Sequence, residues 1–396
     1  MPWRVTCPMD QRRKFVEEVL GGRAEMSAVC EGYGISRKTG YKWLARFAEG
    51  GSPALEDRSR APLSHPNTTE SELVERIIRL RARHPLWGPR KLKHCLGRKE
   101  ADIQWPAPST IGDILKRNGL ISPRRRRRRQ GAQLYEGQLT RGLVPNDVWF
   151  ADFKGWFRTG DGTRVDPLTL SDGASRYLIR CKAVERTDGE TVKKHYSTAF
   201  QKFGLPLAIR SDNGVPFAGP GLCGLSRLAV WLLKIGVRPE RIRPGHPQDN
   251  GVHERMHRTL KDQTAKPPRA TLRAQQKAFD DFQREFNEER PHEAIEMKTP
   301  GELYRPSNRP FPSKIREFEY DNDVIVRKVS ENGTISWRRQ FVYLGPAFAE
   351  EHVGLIEKED GLMTVQLGEI SLGQFNERAG HITKLIPLSV SPMCPV

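Results

Sequence analysis

The sequence predicts a multidomain chain with tandem all-α helix-turn-helix units at the N-terminus, a central α/β core and a small all-β barrel at the C-terminus. Three observations carry this. The 396 residues are enough for two to four domains, each with its own core. The apolar pattern changes along the chain. It has helical spacing before about residue 120, alternates between strand and helix from Asn146, and has a period of two with glycine turns after residue 310. The charge is also lopsided. Residues 1–130 hold 28 Lys+Arg against 14 Asp+Glu, so most of the net charge of +18 sits in the first third. A basic arm on a near-neutral remainder points to a polyanion partner, double-stranded DNA above all.

Composition excludes several classes. No run approaches 18 apolar residues, so a helical membrane span is not expected. The start, MPWRVTCPMDQRRKF, lacks the apolar core of a secretory signal, and a cytoplasmic protein, nucleoid-associated through DNA, is expected. The six cysteines (Cys7, Cys30, Cys95, Cys181, Cys223 and Cys394) show no C-x-x-C pair and no zinc-finger spacing, so they read as reduced and mostly buried.

The domain boundaries follow from these patterns. Residues 1–50 form a first helix-turn-helix unit. A helix over 10–20 is capped by Asp10, with a stripe of Phe15, Val16, Val19 and Leu20. A short helix runs from Met26 to Tyr33, and Gly34 makes the turn. Ser36 caps a third helix packed through Tyr41, Leu44 and Phe47, with Arg37, Lys38, Thr39 and Lys42 facing a major groove. Residues 51–68, rich in Gly, Pro and Ser, are a linker. Residues 69–122 form a second helix-turn-helix unit. Leu73, Ile77, Ile78 and Leu80 line its first helix, and Leu92 and Leu96 its second. Its third helix is capped by Ser109, stopped by Gly119, and presents Ser109, Thr110, Lys116 and Arg117 to DNA. Residues 123–142 are a basic linker whose Arg124, Arg125, Arg126, Arg127, Arg128 and Arg129 track phosphates or enter a narrow minor groove.

Residues 143–308 carry the chemistry. Strands are expected at Val148–Phe157, Pro167–Ser171, Tyr177–Val184 and Leu205–Arg210, with another short one around Ile242. Helices are expected over 187–204 and from Leu225 to Ile235, and a long helix is capped by Asn250. Asp152 lies inside the first strand, Asp212 ends the fourth, and Glu254 sits on the long helix. In a mixed sheet flanked by helices these acids can converge at one edge. Convergent carboxylates hold a pair of Mg²⁺ (or Mn²⁺) ions about 3.5–4 Å apart for in-line phosphoryl transfer. A charged acid in an apolar strand is costly unless paired or metal-bound, which singles out Asp152. Asp172, in an expected hairpin turn, reads as structural.

The motifs W-x-x-D-F-K-G at 149–155, S-D-N-G at 211–214 and P-x-x-D-N-G-x-x-E-R at 247–255 occur in this order. Together with F-N-x-x-R-P-H at 286–292 and T-P-G-E-L-Y at 299–304, they resemble the integrase-core transposases of insertion sequences, relatives of retroviral integrases. The resemblance covers roughly residues 10–375. It implies an RNase H-like core with Asp152, Asp212 and Glu254 as a metal-binding D-D-E triad and two ions per site. It also implies DNA contacts from Lys154, Asn250 and Lys261, the last near the face of Glu254. The partners implied are the element's terminal inverted repeats and target DNA, and at least a homodimer on DNA. Two departures stand out. The 41 residues between Asp212 and Glu254 exceed the family's usual spacing, with the excess placed in a surface loop at Gly219–Leu225. The zinc-binding N-terminal module of retroviral integrases is absent, replaced by the helix-turn-helix units.

Two other activities compete. His253-Glu254-Arg255-Met256-His257 matches the zinc-protease string H-E-x-x-H, but on a polar helix in a basic chain. A non-catalytic DNA-binding regulator, a decayed relative, would have no need of all three acids; a nuclease that cuts without joining would share them. Residues 309–376 alternate at 324–326, 335–337, 341–343, 353–356 and 363–365, with turns at Asn332-Gly333, Gly345-Pro346 and Asp360-Gly361, and form the expected barrel, a scaffold or subunit contact. Residues 377–396 are a tail.

Overall fold

The computed structural model describes residues 7–58, 68–121, 139–219, 222–242, 251–358, 361–377 and 382–384. The six-arginine run 124–129, Asn250 and Cys394 lie outside the described residues. The chain divides into two compact units, Met1–Glu70 and Ser71–Val396. Among the described residues no helix is long and apolar enough to cross a membrane.

The first unit holds α1 (Pro8–Leu20), α2 (Met26–Gly32) and α3 (Arg37–Gly50). Proline preorganises the first helical position, so α1 starts at Pro8 and Asp10 falls in its first turn rather than at the cap. Phe15, Val16, Val29, Cys30, Trp43 and Leu55 form its core. Leu20 is 65% exposed and Tyr41 60% exposed, so neither joins the expected stripe. On α3 the inward row is Gly40, Trp43, Leu44 and Phe47, at helical spacing, and Tyr41 lies one residue, about 100°, off it. Gly40 lets α3 approach α2 and α1. A Cβ there would meet Cys30 Sγ and Met26 Cε at 2.7 Å and Phe15 Cζ at 2.9 Å. Ser36 caps α3 as expected, its hydroxyl accepting from Thr39 N at 3.2 Å, and Gly34 makes the turn at φ +63°.

The second unit begins with α4 (Ser71–Arg83), α5 (Pro89–Lys99) and α6 (Pro108–Arg117). Ile77, Trp87, Leu92, Ile111 and Leu115 are its most buried apolar residues. Pro108 opens α6 after Ala107, so Ser109 lies inside the first turn and does not cap it. Gly119, at φ +69°, ends the helix as expected.

The core follows: β1 (Val148–Phe153), β2 (Phe157–Arg158), β3 (Arg164–Asp172), β4 (Leu178–Val184), α7 (Gly189–Phe203), β5 (Ala208–Ser211), α8 (Arg227–Lys234), β6 (Arg238–Arg241), α9 (Gly251–Thr264), α10 (Leu272–Arg284) and α11 (Pro300–Leu303). The main sheet runs β4-β3-β1-β5-β6, with β2 on the outer part of β3. β1 is antiparallel to β3 and parallel to β5, and β5 is parallel to β6. The strand expected at Ile242 stops at Arg241, although Ile242 N still donates to Ser211 O. Trp149, Tyr196, Phe200 and Trp231 fill the space between the sheet and α7–α8. Opposite them, Val165, Leu178 and Cys181 pack on Met256, Leu260, Phe279 and Phe282 of α9 and α10.

The strings F-N-x-x-R-P-H and T-P-G-E-L-Y beyond α10 serve as latches. Asn287 Oδ1 accepts from Leu178 N and its Nδ2 donates to Leu178 O, pairing with β4 as a strand would. Tyr304 stacks on Tyr177 at 4.4 Å and donates to Asn146 Oδ1. The three-helix module docks beside this stretch. His84, stacked on Trp87 at 3.7 Å, meets Glu285 at 3.2 Å, and Arg98 pairs with Glu302 at 2.8 Å.

The C-terminal strands are β7 (Ile325–Lys328), β8 (Thr334–Trp337), β9 (Gln340–Tyr343), β10 (His352–Glu357), β11 (Leu362–Leu367), β12 (Ile370–Asn376) and β13 (Ile382–Lys384). The five expected strands are here, with β12 added and with β13, which pairs with β9, drawn from the stretch 377–396 expected as a tail. They hydrogen-bond as two sheets, β12-β11-β10-β7 and β13-β9-β8. One apolar cluster joins both sheets to Cys223, Leu225, Ala229 and Val230 of the core. This corrects the expected surface loop at 219–225: Cys223 and Leu225 are each 3% exposed, because the β region packs over them.

Candidate active site

The site grows from β1. Val148, Trp149, Phe150 and Ala151 are buried, and Asp152 emerges at the strand's C-terminal part with its side chain 18% exposed. The parallel register pairs Ala151 with Ser211, so Asp152 and Asp212 each follow the same rung on neighbouring strands. Such strand ends are where open α/β sheets place ligand groups. Asp212 sits in a turn whose Gly214 N–H donates to its Oδ1 at 3.2 Å. Glu254 lies in the first turn of α9 and is exposed.

The charges of these acids act on one another. Burial, then the negative charge of Asp212, with a smaller share from Glu254, push Asp152 up to about 7. Burial likewise raises Asp212, against the pull of the Gly214 N–H. A group of carboxyls that resists ionising alone, with hard oxygen donors, fits a divalent cation.

α9 also turns its two histidines inward. His253 and His257 are 1% and 3% exposed. The hydroxyl of Thr169, directly opposite Asp152 in the β1–β3 register, lies 2.7 Å from His253 Nε2 and 2.6 Å from His257 Nε2, and donates to Asp152 O at 3.1 Å. With its one proton given to that carbonyl, Thr169 accepts from both rings, so each carries its proton on Nε2. Ser171 then donates to His253 Nδ1 at 2.8 Å, and His257 Nδ1 faces Asp152 Oδ2 at 3.6 Å. Burial holds both histidines below their ordinary value, so they are neutral. Asp152, His253 and His257 offer ligand atoms all within 4.8 Å of one another. Three of the four ring nitrogens are already hydrogen-bonded, however, so the H-E-x-x-H string serves as an internal brace for Asp152 rather than an open zinc-ligand set.

The sequence places His253 and His257 beside the acids, for DNA contact or packing, and the structure shows packing; their partners Thr169 and Ser171, two hydroxyls on one face of β3, were missed. Asp172 is structural as expected: 1% exposed, it accepts from Asn146 N, Ser175 N and Ser175 Oγ.

Other expected residues fall into groups. Lys154 and Lys261 line one cavity of about 50 Å³ beside Trp156. Arg37, Lys38 and Lys42 are exposed on α3, with Lys42 Nζ 5.0 Å from the Trp43 ring, while Thr39 is tied to Ser36. Ser109, Lys116 and Arg117 are exposed on α6, and Thr110 is half-buried.

Residues 143–247 and 235–300 match the integrase core domain family. Residues 11–62 match a helix-turn-helix domain, and residues 39–115 a homeodomain-like domain. The chain is 27% identical over 239 residues to the insertion element IS407 uncharacterized 31.7 kDa protein of Burkholderia multivorans, covering 60% of this chain and 82% of that protein. It is 26% identical over 180 residues to the transposase for insertion sequence element IS904 of Lactococcus lactis, covering 43% and 68%. It is also similar to the HTLV-2 integrase catalytic core domain solved in complex with magnesium, at 17% identity and a TM-score of 0.34, covering 42% of this chain and 100% of that one. With helix-turn-helix domains matched ahead of an integrase core domain, the chain is similar to the integrase-core transposases of insertion sequences.

Proposed function

We propose that this protein is a DNA transposase that binds the terminal inverted repeats of its element, cleaves one strand at each end, and joins the freed 3′-hydroxyl to target DNA. The observation that carries this reading is the pairing of Asp152 and Asp212 at adjacent parallel strand ends, with the charge of Glu254 acting on the same spot.

In this reading Asp152, Asp212 and Glu254 hold Mg²⁺ or Mn²⁺, two ions per site. When bound, these ions activate an oxygen nucleophile and stabilise the leaving oxygen. The protein's part is positioning. The Thr169 hydroxyl, itself held by His253 and His257, ties the Asp152 backbone in place beside the buried β1. Lys154 and Lys261 hold backbone phosphates beside the acids. The helix-turn-helix units supply end recognition through Arg37, Lys38, Thr39 and Lys42 on α3, and Ser109, Thr110, Lys116 and Arg117 on α6. Arg124–Arg129 add a salt-sensitive, sequence-poor contribution. The C-terminal sheets, sharing one apolar cluster, form a small barrel-like scaffold. Joining two ends requires at least a dimer, in the cytoplasm with the DNA.

The test is a cleavage and strand-transfer assay with end-bearing duplex DNA and Mg²⁺ or Mn²⁺. Wild type is expected to give nicked and joined products, and Asp152→Asn is expected to bind the DNA without reacting. Equal product from Asp152→Asn would remove that residue from the chemistry. Specific binding by wild type with no metal-dependent product would favour the regulator instead.

A further inference from the structure

The other side of α9 borders a cavity of about 110 Å³ that the catalytic reading leaves unused. Lys91 of α5 lines it, with Arg176 from the β3–β4 turn, Arg255 of α9, and Arg290 and His292 of the F-N-x-x-R-P-H stretch. No carboxylate lines it. The Nε of Arg176 and an Nη of Arg290 are buried without a hydrogen-bond partner among the described residues. Nor does any of Lys91, Arg176, Arg255 and Arg290 form a side-chain ion pair there.

Four cationic side chains converging on a small cavity with idle N–H donors are costly in an empty protein. The mutual repulsion is visible. Burial, then the charge of Arg290 and, further down, Arg255, hold Lys91 down to about 8, against the pull of Glu293. Burial and then Arg255 lower Arg176. An oxyanion would relieve all of them, since guanidinium N–H groups match tetrahedral phosphate oxygens. The cavity is well below the ~300–1,000 Å³ of small-molecule pockets, so it suits a single such group rather than a nucleobase or cofactor.

We infer that this cavity, built jointly by the second helix-turn-helix module and the core, binds one backbone phosphate of the DNA substrate. The inference rests on the transposase reading and extends it. A DNA phosphate is favoured over a free ion because the exposed Arg255 stands at the cavity next to Glu254 on α9. The other wall comes from α5, immediately before α6 in the second helical module. A phosphate held here would add a DNA-dependent link to the His84–Glu285 and Arg98–Glu302 contacts that already join that module to the core.

The test compares full-length wild type with Lys91→Met, Arg255→Gln and Arg290→Lys. Duplex binding is measured without divalent metal across a range of NaCl. Lys91→Met is expected to leave the melting temperature of the free protein unchanged or raised, because it removes one of several repelling cations. It is also expected to weaken DNA binding about tenfold and lower the salt slope by about one contact. Arg255→Gln should weaken binding in the same direction, and Arg290→Lys should retain most of it. A set of duplexes, each with one phosphate replaced by neutral methylphosphonate, should contain one position that weakens wild type but not Lys91→Met. Unchanged affinity and slope in Lys91→Met and Arg255→Gln would overturn the inference, as would methylphosphonate sensitivity identical to wild type. Millimolar inorganic phosphate that stabilises wild type but not Lys91→Met, with DNA binding untouched, would also overturn it, by showing a site for a free oxyanion. These outcomes are read in a wild type that cuts DNA with metal; a wild type that does not cut fails the transposase reading itself.

Discussion

Asp152 shows how one side chain can carry a site. Its backbone is held by the β1 ladder and by the Thr169 hydroxyl on its own carbonyl, and the His257 ring packs beside its carboxyl. Its raised value has a consequence for stability. With its folded-state value near 7 and the unfolded one near 3.8, the metal-free protein binds more protons than the unfolded chain between those limits. Stability from this group is therefore fully present below about pH 4 and is lost as pH rises through 7. Wild type minus Asp152→Asn, compared by thermal unfolding in chelator, should show this decline with rising pH, and added Mg²⁺ should offset it mostly at the alkaline end. A pH-independent difference would show that Asp152 ionises freely. Thr169→Val tests the brace. It removes the hydroxyl that both histidines share and should lower strand-transfer kcat about tenfold or more, with little effect on DNA affinity. Kinetics matching wild type would leave the brace without a role.

The elements show where sequence reading worked and where it did not. Helices and strands were legible where their period and caps are local: Ser36, Gly34 and Gly119 sit where the pattern puts them, whereas the strand expected over Val148–Phe157 breaks after Phe153 and resumes as β2. Errors arose where a neighbouring element decides. Tyr41 fits an apolar list but lies off the stripe that Gly40, Trp43 and Leu44 define. Ser109 resembles a cap, but Pro108 begins the helix first. Residues 219–225 read as a surface loop because the β region that covers Cys223 and Leu225 is more than 100 residues away in sequence. Two substitutions test this packing. Gly40→Ala should destabilise the first unit by about 1–3 kcal/mol, since its Cβ would collide with three side chains, whereas Tyr41→Ser should be near neutral in the same thermal unfolding experiment. Asn287→Ala should cost about 1–3 kcal/mol by leaving Leu178 N without its acceptor, while Leu178 O keeps the Gln283 amide; a stability equal to wild type would show that the latch is redundant.

At the scale of the whole molecule, charge and acid placement divide the labour. The basic first third precedes a near-neutral remainder in which Asp152 and Asp212 each follow the same rung on neighbouring parallel strands. The three acids proposed as the cation site were singled out in the sequence because each sits in a distinctive string. The histidine brace and the cation-lined cavity were not, since each draws on residues far apart in sequence: Thr169 with His257, and Lys91 with Arg290. The two sheets of the C-terminal region likewise share their core with α8, which no local pattern reveals.

In the proposed reaction Asp152, Asp212 and Glu254 act as one cation site. Mn²⁺ titrated calorimetrically into the full-length protein at neutral pH, beside Asp152→Asn, Asp212→Asn and Glu254→Gln, tests that directly. Saturable binding that each substitution weakens, in variants that still melt at or above the wild-type temperature, is the expected result. Mn²⁺ binding of undiminished strength in Asp152→Asn and Asp212→Asn would contradict it.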